Sequence, residues 1–300
     1  MNSELLEKFE KRAAKVNSWY SAASPKWYSR LKRFSGSPAH YLKYFVYQFS
    51  KKGPIFIRAR TFLGTKFYCY LPDYFWTWCC GILGDPSERI LTRFLIKNIR
   101  EGDVFLDVGS NCGFYAVLAG VLTGEKGSVH AFEPTQNIFK MLEKNTKGFK
   151  NVFLVDAAIS DKSGEAEFFL NPLYTVANSL VIKPAAAYTT AKVKVTTLDN
   201  YCYAHNVKPT FIKLDIEGAE MAAVLGGQRI LTETSPIISL EILDQPSGAD
   251  FSAAEKLVGL GYVPHKLLPN AQLEKISLPE IVSLYGSGKN DFYNFIFKKS

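Results

Sequence analysis

The stretch "VFLDVGSNCGFYAVLAG", from Val104 to Gly120, decides the fold. An apolar run ends at Asp107, a turn carrying Gly109 and Gly113 follows, and a second apolar run begins. This order predicts a buried strand, a tight turn and a helix. In open α/β sheets such turns hold nucleotides, because ligands bind beyond the carboxyl ends of the strands. The stretch therefore predicts a nucleotide site.

The turn also separates two classes of nucleotide. A dinucleotide loop has the pattern GxGxxG, whose second glycine lets the backbone approach a pyrophosphate, but here Asn111 stands in that place. No Lys-Ser/Thr pair follows, so a P-loop is not indicated either. A phosphate-free ligand such as S-adenosylmethionine fits better, since Asp107 can favour its cationic groups and turn amides can bind its carboxylate. A structural role for Asp107, tied to turn amides, is the alternative.

Strands and helices alternate outward from this stretch. After Gly102, apolar strand patterns occur in "SVHAFEP", "NVFLVDAAI", "TFIKLDIEGAEMAAVLGG", "PIISLEIL" and "DFYNFIFKK", and most are followed by a helical pattern. Two segments, "GEAEFFL" and "KVKVTTL", alternate like exposed strands or a hairpin. Apolar strands separated by helices predict an α/β fold with a mostly parallel sheet covered by helices on both faces.

Four acidic residues stand where predicted strands end, namely Asp107, Glu133, Asp156 and Asp215. The carboxyl ends of parallel strands meet at one edge of the sheet, and a buried carboxylate needs a partner. The set therefore indicates a ligand site rather than packing alone.

Glu133 and Asp156 have distinct predicted roles. Glu133 follows Gly109 by 24 residues, and an acid at about that distance commonly accepts the ribose hydroxyls of an adenosine ligand. The alternative is a helix-capping acid before Pro134. Asp156 is expected to accept a hydrogen bond from an adenine amine, with an Asx-turn as the alternative.

The first 84 residues form a predicted extension, and residues 85–300 form the predicted ligand-binding domain. The segment "PIFIRARTFLGTKFYCYLP" predicts a hairpin. Before it, the pattern predicts short helices broken near Pro25 and around residues 36–38. After it, "DPSERILTRFLIKNI" predicts a helix with Asp85 as N-cap and Glu88 completing a capping box.

The charge of the chain is concentrated at its start. Residues 1–52 hold 11 lysines and arginines and 3 glutamates, whereas the remainder holds 25 basic and 25 acidic residues. Ten aromatic residues lie between Trp19 and Phe49. They are expected to pack as a helical cap on the body, and the alternative is a surface that contacts anionic membrane. Nucleic acid is not a predicted partner, because no binding motif accompanies the charge.

The composition narrows the class of protein further. Apolar residues make up 47% of the 300 residues, enough for a full core. No apolar run reaches the roughly 18 to 20 residues that a spanning helix needs, and the charged start lacks a secretory signal. Five cysteines without a CxxC pair predict reduced thiols in a cytoplasmic protein. Four scattered histidines give no Cys/His metal signature.

The chain resembles FkbM-type methyltransferases, whose segments occur here in the same order: "FLDVGSNCGFYAVLAG", "VHAFEPTQNIFKMLEKN", "NVFLVDAAISDKSGEAEF", "NSL", "VTTLDNY", "FIKLDIEGAEMAAVLGG" and "IISLEI". The resemblance covers about residues 85–245. It implies the class I (Rossmann-like) fold with an antiparallel last strand, and methyl transfer from S-adenosylmethionine, mostly to hydroxyl oxygens. It further implies cofactor-binding roles for Asp107, Gly109, Asn111, Gly113, Glu133 and Asp156. The family usually has alanine where this chain has Ser110.

The segment "KLDIEGAE" supplies the catalytic candidates. Methyl transfer needs a positioned acceptor oxygen and a base, so Asp215 or Glu217 is expected to act as the base or to orient the acceptor. Glu241, on the following strand, is another inward candidate. Alternatively, Asp215 and Glu217 only cap a helix beginning near Glu217. Glu220, one turn on, is expected either to contact solvent or to pair with a neighbouring base. Asp215, Glu241 and a third carboxylate would suit Mg²⁺, but no spacing requires a metal, and none is assigned.

The leading prediction is an enzyme, an O-methyltransferase for a sugar, glycan or other small-molecule hydroxyl. The alternatives are N- or carboxyl-directed transfer and a non-catalytic protein that binds an adenosine ligand. A non-catalytic relative is expected to lose acids at 107, 133 or 215, and all three are present. The missing GxGxxG argues against a dinucleotide-dependent oxidoreductase. The oligomeric state is not predicted.

Overall fold

The computed structural model describes residues 2–19, 37–50, 54–171, 178–180, 189–242, 249–286 and 294–299. Among the described residues, the N-terminal part contains two helices and a hairpin, followed by a short and a long helix: α1 (Asn2–Trp19), α2 (Pro38–Ser50), β1 (Ile55–Arg60), β2 (Lys66–Leu71), α3 (Phe75–Cys80) and α4 (Pro86–Asn98). The predicted hairpin is confirmed, with β1 and β2 paired antiparallel. The predicted break near Pro25, and the aromatic residues at 20, 27, 28 and 34, lie outside the described residues.

Asp85 is the N-cap of α4, as predicted, since its carboxylate accepts a hydrogen bond of 2.7 Å from the backbone N–H of Ser87. The predicted capping box does not form. The side chain of Glu88 turns away from the N-cap backbone and instead accepts hydrogen bonds from Tyr115 and Asn294. These partners are distant in sequence, so the capping pattern alone could not reveal them.

The remaining described elements are a mixture of strands and helices. They are β3 (Val104–Val108), α5 (Phe114–Thr123), β4 (Ser128–Phe132), α6 (Gln136–Thr146), β5 (Val152–Val155), β6 (Ala158–Ile159), β7 (Gly164–Leu170), β8 (Thr189–Thr196), α7 (Leu198–Ala204), β9 (Phe211–Leu214), α8 (Glu220–Leu225), α9 (Gln228–Thr234), β10 (Ile237–Glu241), α10 (Ser252–Gly259), β11 (Val263–Leu267), β12 (Leu273–Lys275), α11 (Leu278–Gly286) and β13 (Asn294–Lys298).

An eight-stranded sheet organises the molecule, with the strand order β12-β11-β13-β10-β9-β3-β4-β5. The five strands β10, β9, β3, β4 and β5 run parallel. Strand β13 lies between β10 and β11 and is antiparallel to both. The predicted α/β fold, with its mostly parallel sheet and antiparallel last strand, is thus confirmed.

Two hydrophobic cores cover the two faces of this sheet, because the strands are apolar on both sides. One face packs on α4, α5 and α6 through residues such as Phe105, Phe211 and Leu118. The other packs on helices that include α8, α9 and α10 through residues such as Leu106 and Ile212. The five cysteines are free.

The predicted third strand, "NVFLVDAAI", is divided in two. Its first half is β5, which pairs with β4 at the edge of the main sheet. Its second half, β6, pairs with β8, and β8 pairs with β7 to form a separate three-stranded sheet. The division comes at Asp156 and Ala157, so the chain leaves the main sheet directly after β5.

The N-terminal elements pack on the first of the two cores. Phe9 of α1 is fully buried and contacts the ring of Phe62, with centroids 5.3 Å apart. Glu10 of α1 pairs with Arg93 of α4. Across the described ranges, the search for a helix that is both long enough and apolar enough to cross a bilayer finds none.

Candidate active site

A cavity of about 500 Å³ lies beyond the carboxyl ends of the parallel strands, where ligands bind in open α/β sheets. Its volume falls within the range typical of small-molecule sites, roughly 300–1,000 Å³. Among the described residues, its titratable lining consists of one lysine, two tyrosines and seven carboxylic acids, namely Lys213, Tyr74, Tyr115, Asp73, Asp85, Glu88, Glu133, Asp215, Glu217 and Glu241. The wall is therefore strongly acidic.

The glycine turn shapes one wall of the cavity. Gly109, Asn111 and Gly113 all have positive φ values, of 83°, 47° and 87°, a region that glycine adopts freely and asparagine tolerates better than most residues. Gly109 lines the cavity, and a Cβ there would overlap the carbonyl oxygen of Asp215. Gly113 is the N-cap of α5, and a Cβ there would press on Leu142. Of the two glycines, only Gly109 borders the cavity.

Asn111 links the turn to neighbouring elements. Its side-chain oxygen accepts hydrogen bonds from the hydroxyl of Tyr74, at 2.9 Å, and from the backbone N–H of Cys112, at 2.7 Å. Its backbone N–H donates to Glu133 at 3.1 Å. Asn111 lines the cavity, and its position at the amino-acid end of a bound S-adenosylmethionine stays a prediction.

Glu133 lies between the turn and the start of α6. One carboxylate oxygen accepts from Asn111, and the other accepts from the backbone N–H of Thr135 at 2.8 Å. Glu133 therefore accepts from the backbone at the start of the helix, as the capping alternative predicted, and it also lines the cavity; its contact with a ribose stays a prediction. Burial raises the pKa of Glu133 to about 7, although the two backbone donors oppose this rise. A ribose diol could satisfy the acceptor positions that remain on a carboxylate.

Asp107 and Lys213 are buried neighbours at the base of the cavity, which Lys213 lines and Asp107 does not. They are neighbours on β3 and β9, and their residues are 0% and 2% exposed. Asp107 does not line the cavity, and neither of its carboxylate oxygens has a hydrogen-bond partner among the described residues. Burial raises the pKa of Asp107 to about 6, with the Lys213 charge opposing the rise. The predicted contact of Asp107 with a cofactor stays a prediction.

Asp215 lines the cavity directly after β9, and its carboxylate is 2.6 Å from the Lys213 ammonium. Burial by itself would raise the pKa of Asp215, but Lys213 and a hydrogen bond with Glu241 hold it below its usual value. Burial likewise would lower the pKa of Lys213, yet the surrounding carboxylates, first Asp215 and then Asp107, raise it. Asp215 therefore carries a negative charge at neutral pH.

Glu88 is a site residue that the sequence did not indicate. Its two carboxylate oxygens accept from the Tyr115 hydroxyl, at 2.7 Å, and from the Asn294 amide, at 3.0 Å. Ligand atoms of Glu88, Asp215 and Glu241 lie within 4.8 Å of one another. Burial raises the pKa of Glu88, and burial followed by the Asp215 charge raises that of Glu241 well above its usual value. Carboxylates in such a group suit Mg²⁺, and here Lys213 and bound protons can also balance their charge.

Glu217 faces the same cavity from a strained turn. Its φ of 55° is unusual for a residue with a side chain, and such strain is concentrated at functional sites. The Ser179 hydroxyl donates to the Glu217 carbonyl at 2.6 Å and helps to hold this turn. Burial, followed by the charges of Asp215 and Glu220, raises the pKa of Glu217 to about 8. Glu217 thus titrates near the pH at which a general base works best.

Glu220 closes the turn, and of its two predicted alternatives the contact with solvent is wrong. It is 8% exposed, and its carboxylate accepts from the backbone N–H groups of Ile216, at 3.0 Å, and Gly218, at 3.2 Å. The helix begins at Glu220 rather than near Glu217. Glu220 therefore satisfies the amides of this turn, and Asp215 and Glu217 line the cavity.

Asp156 lies apart from the other predicted site residues. It follows β5 and accepts a hydrogen bond of 2.7 Å from the side chain of Gln136 at the start of α6. It is absent from the cavity lining. Its predicted contact with adenine stays a prediction.

The sheet, the glycine turn and the acidic cavity together are those of a class I methyltransferase. Residues 107–264 match the methyltransferase FkbM domain. This match spans more than half of the 300 residues, and the chain belongs to that family of enzymes.

Similarity to individual proteins extends over part of the chain. The hexuronic acid methyltransferase AglP of Haloferax volcanii is 27% identical over 174 residues, which are 57% of this chain and 68% of that protein. A probable cobalt-precorrin-6B C(15)-methyltransferase (decarboxylating) of Sulfurisphaera tokodaii is 38% identical over 73 residues, 23% of this chain and 38% of that protein. The crystal structure of a methyltransferase FkbM from Methylobacillus flagellatus has a TM-score of 0.40 and 13% identity, and the match covers 72% of this chain and 56% of that one.

Proposed function

We propose that this methyltransferase binds S-adenosylmethionine in the acidic cavity and methylates a hydroxyl oxygen of a sugar, glycan or other small molecule. The acidity of the cavity carries the proposal. Seven carboxylic acids and a single lysine line it among the described residues. Asp215, which Lys213 holds charged, suits a sulfonium or an ammonium group, the other acids add hydrogen-bond acceptors, and a pyrophosphate would meet Lys213 as its one cation in this lining. The hexuronic acid methyltransferase AglP, which matches over 68% of its length, supports a sugar acceptor.

The turn and Glu133 would hold the adenosine and amino-acid parts of the cofactor. Gly109 leaves room for a close approach, because it has no Cβ. Glu133 would accept the ribose hydroxyls, Asn111 would contact the amino-acid end, and Asp107 would contribute negative charge from below. Asp156 would reach the adenine amine if Gln136 turned aside. When bound, S-adenosylmethionine supplies an electrophilic methyl group on a sulfonium.

The residues of "KLDIEGAE" would prepare the acceptor. Glu217 is proposed as the base, because its pKa of about 8 and its place in the cavity wall suit proton removal. Asp215, held charged by Lys213, would orient the hydroxyl, and Glu241 would position Asp215 through their hydrogen bond. S-adenosylmethionine would supply the methyl group to the acceptor oxygen and leave as its thioether, and Glu217 would take the hydroxyl proton.

Calorimetry with S-adenosylmethionine and with NADH tests the cofactor assignment. We expect the first ligand to bind and the second not to bind. Binding of NADH alone would overturn the proposal, and the absence of both would favour a non-catalytic protein.

The acceptor class is tested by mass spectrometry after incubation with isotopically labelled cofactor and a panel of sugars, lipid-linked glycans and polyketides. One labelled methyl group on a hydroxyl oxygen is the expected product. A methyl group on nitrogen or on a carboxylate would contradict the proposed hydroxyl specificity. Full turnover by both Asp215→Asn and Glu217→Gln would remove their catalytic roles.

We also propose that residues 85–300 carry the catalytic function, and that residues 1–84 form an extension with a separate role.

A further inference from the structure

Acidic residues are missing from a long N-terminal part of the chain. Residues 11–72 contain 13 lysines and arginines and no aspartate or glutamate. The described part of this stretch includes α2 and the hairpin formed by β1 and β2. A surface built from it carries positive charge that no acid of the same segment offsets, so it attracts anions.

The hairpin presents this charge on its outer face. Side chains alternate between the two faces of a strand, and Ala59 and Phe67 are buried on the inner face. The neighbouring Arg58, Arg60 and Lys66 are therefore directed outward, and all three are exposed. Within the described ranges, none of the three forms an ion pair.

The three cations surround an open pocket of about 380 Å³. Ala59, His40 of α2 and Trp78 of α3 complete its lining. The ring centroids of His40 and Trp78 are 4.5 Å apart, so α2 is fixed against the hairpin side of the molecule. The pocket brings together positive charge from two strands and places it beside α2.

Apolar side chains are exposed on the same elements. Leu42 and Phe45 of α2 are 58% and 52% exposed, and Phe56 of β1 is 47% exposed. The opposite side of α2 packs on α3 through His40 and through Tyr44, whose ring lies 4.4 Å from that of Phe75. Residues three apart share a helix face, so Leu42 and Phe45 point outward together.

We propose that this docking face, formed by Leu42, Phe45, Phe56, Arg58, Arg60 and Lys66, binds the anionic surface of a lipid bilayer. Basic residues beside exposed leucine and phenylalanine are the pattern of helices that lie in the membrane interface. Charge alone would also suit a nucleic acid, but exposed leucine and phenylalanine side chains beside the cations favour a partner that also has an apolar interior. The inference is independent of the reaction in the cavity.

Docking would place the cavity beside the bilayer. Asp73 and Tyr74, which connect β2 to α3, line the cavity, and Trp78 of the same helix lines the basic pocket. The cavity and the basic pocket are therefore both lined by the segment that contains α3 and the residues directly before it.

Co-sedimentation of the full chain with vesicles tests the proposal. We expect binding to vesicles of phosphatidylcholine mixed with phosphatidylglycerol, weaker binding at high salt, and little binding to phosphatidylcholine alone. The triple variant Arg58→Gln/Arg60→Gln/Lys66→Gln should bind about 100-fold more weakly, because each basic residue at an anionic membrane contributes about 1 kcal/mol. The matched control is Lys162→Gln/Lys192→Gln/Lys208→Gln, which removes the same charge from exposed positions elsewhere and should bind like the unmodified chain.

A second variant, Leu42→Ser/Phe45→Ser, separates a bilayer from a soluble polyanion. It should weaken vesicle binding about tenfold or more, since each inserted side chain contributes about 1.5–3 kcal/mol when fully buried. Its binding to a single-stranded oligonucleotide should not change. The proposal is overturned if the unmodified chain stays in the supernatant with anionic vesicles at low salt, if the two triple variants weaken equally, or if Leu42→Ser/Phe45→Ser binds vesicles normally. Because no cofactor or acceptor is added, these outcomes do not depend on the proposed reaction.

Discussion

The Nζ atom of Lys213 lies 2.6 Å from the Oδ2 atom of Asp215, at the end of the strand that forms the floor of the cavity. Lys213 is 2% exposed, and its ammonium also lies 5.1 Å from the ring centroid of Tyr115. Asp107 flanks it on the neighbouring strand. One buried lysine thus offsets the charge of several carboxylates, and the acidity of the cavity depends on it.

Removing the lysine charge should destabilise the fold. In Lys213→Met, Asp215 and Asp107 lose their cation, and breaking a buried pair from one side costs about 3–5 kcal/mol. Urea denaturation measures the free energy of unfolding. The control is Lys126→Met, since Lys126 pairs with Glu101 at 3.5 Å on the surface, where such pairs contribute about 0–1 kcal/mol. Equal effects of the two substitutions would show that the carboxylates are neutral without Lys213.

The proposed base gives a pH dependence of definite sign. Glu217 can accept a proton only in its carboxylate form. Its pKa is about 8, so it loses its proton as the pH rises through that value. We therefore expect kcat to rise with pH up to about 8 and then level off. The Glu217→Gln variant should lower kcat by about 10² to 10⁴, keep its affinity for S-adenosylmethionine, and lose the rising limb.

The control for this variant is Glu125→Gln, because Glu125 is exposed and lies outside the cavity. It should leave the pH profile of kcat unchanged. A Glu217→Gln enzyme that retains the rising limb would assign the titration to another group, such as Glu241.

The sequence predicted the strands and the turn that form this site better than it predicted the partners of its charged side chains. The apolar periodicity and the glycine turn gave the parallel sheet and placed Asp215, Glu217 and Glu133 in one cavity, since these depend on local patterns. Glu88 was predicted to act only in a capping box, because its actual partner Asn294 is 206 residues away. The burial of Asp107 likewise depends on packing between strands, which no local pattern reports.

Chelation of divalent metal should leave the enzyme active. The group of Glu88, Asp215 and Glu241 lies beside the Lys213 ammonium, and burial raises the pKa of Glu88 and Glu241, which lowers their tendency to carry charge. Methyl transfer measured in excess EDTA should therefore match the untreated enzyme. A loss of activity that Mg²⁺ restores would instead assign these carboxylates as metal ligands, and Glu88→Gln should then weaken Mg²⁺ binding.

Replacing Gly109 by alanine should destabilise the fold more than the same replacement at Gly102, a glycine with a similar backbone conformation. Gly109 and Gly102 have φ values of 83° and 94°, so alanine is strained at both by roughly 1–2 kcal/mol. A Cβ at Gly102 meets nothing within 4 Å, whereas one at Gly109 overlaps the carbonyl oxygen of Asp215. Gly109→Ala should thus lower the free energy of unfolding by more than Gly102→Ala, with overpacking adding about 1–3 kcal/mol, and it should also weaken S-adenosylmethionine binding in calorimetry. Equal losses of stability and unchanged binding would mean that the turn moves freely away from Asp215, and that the close contact does not shape the cavity.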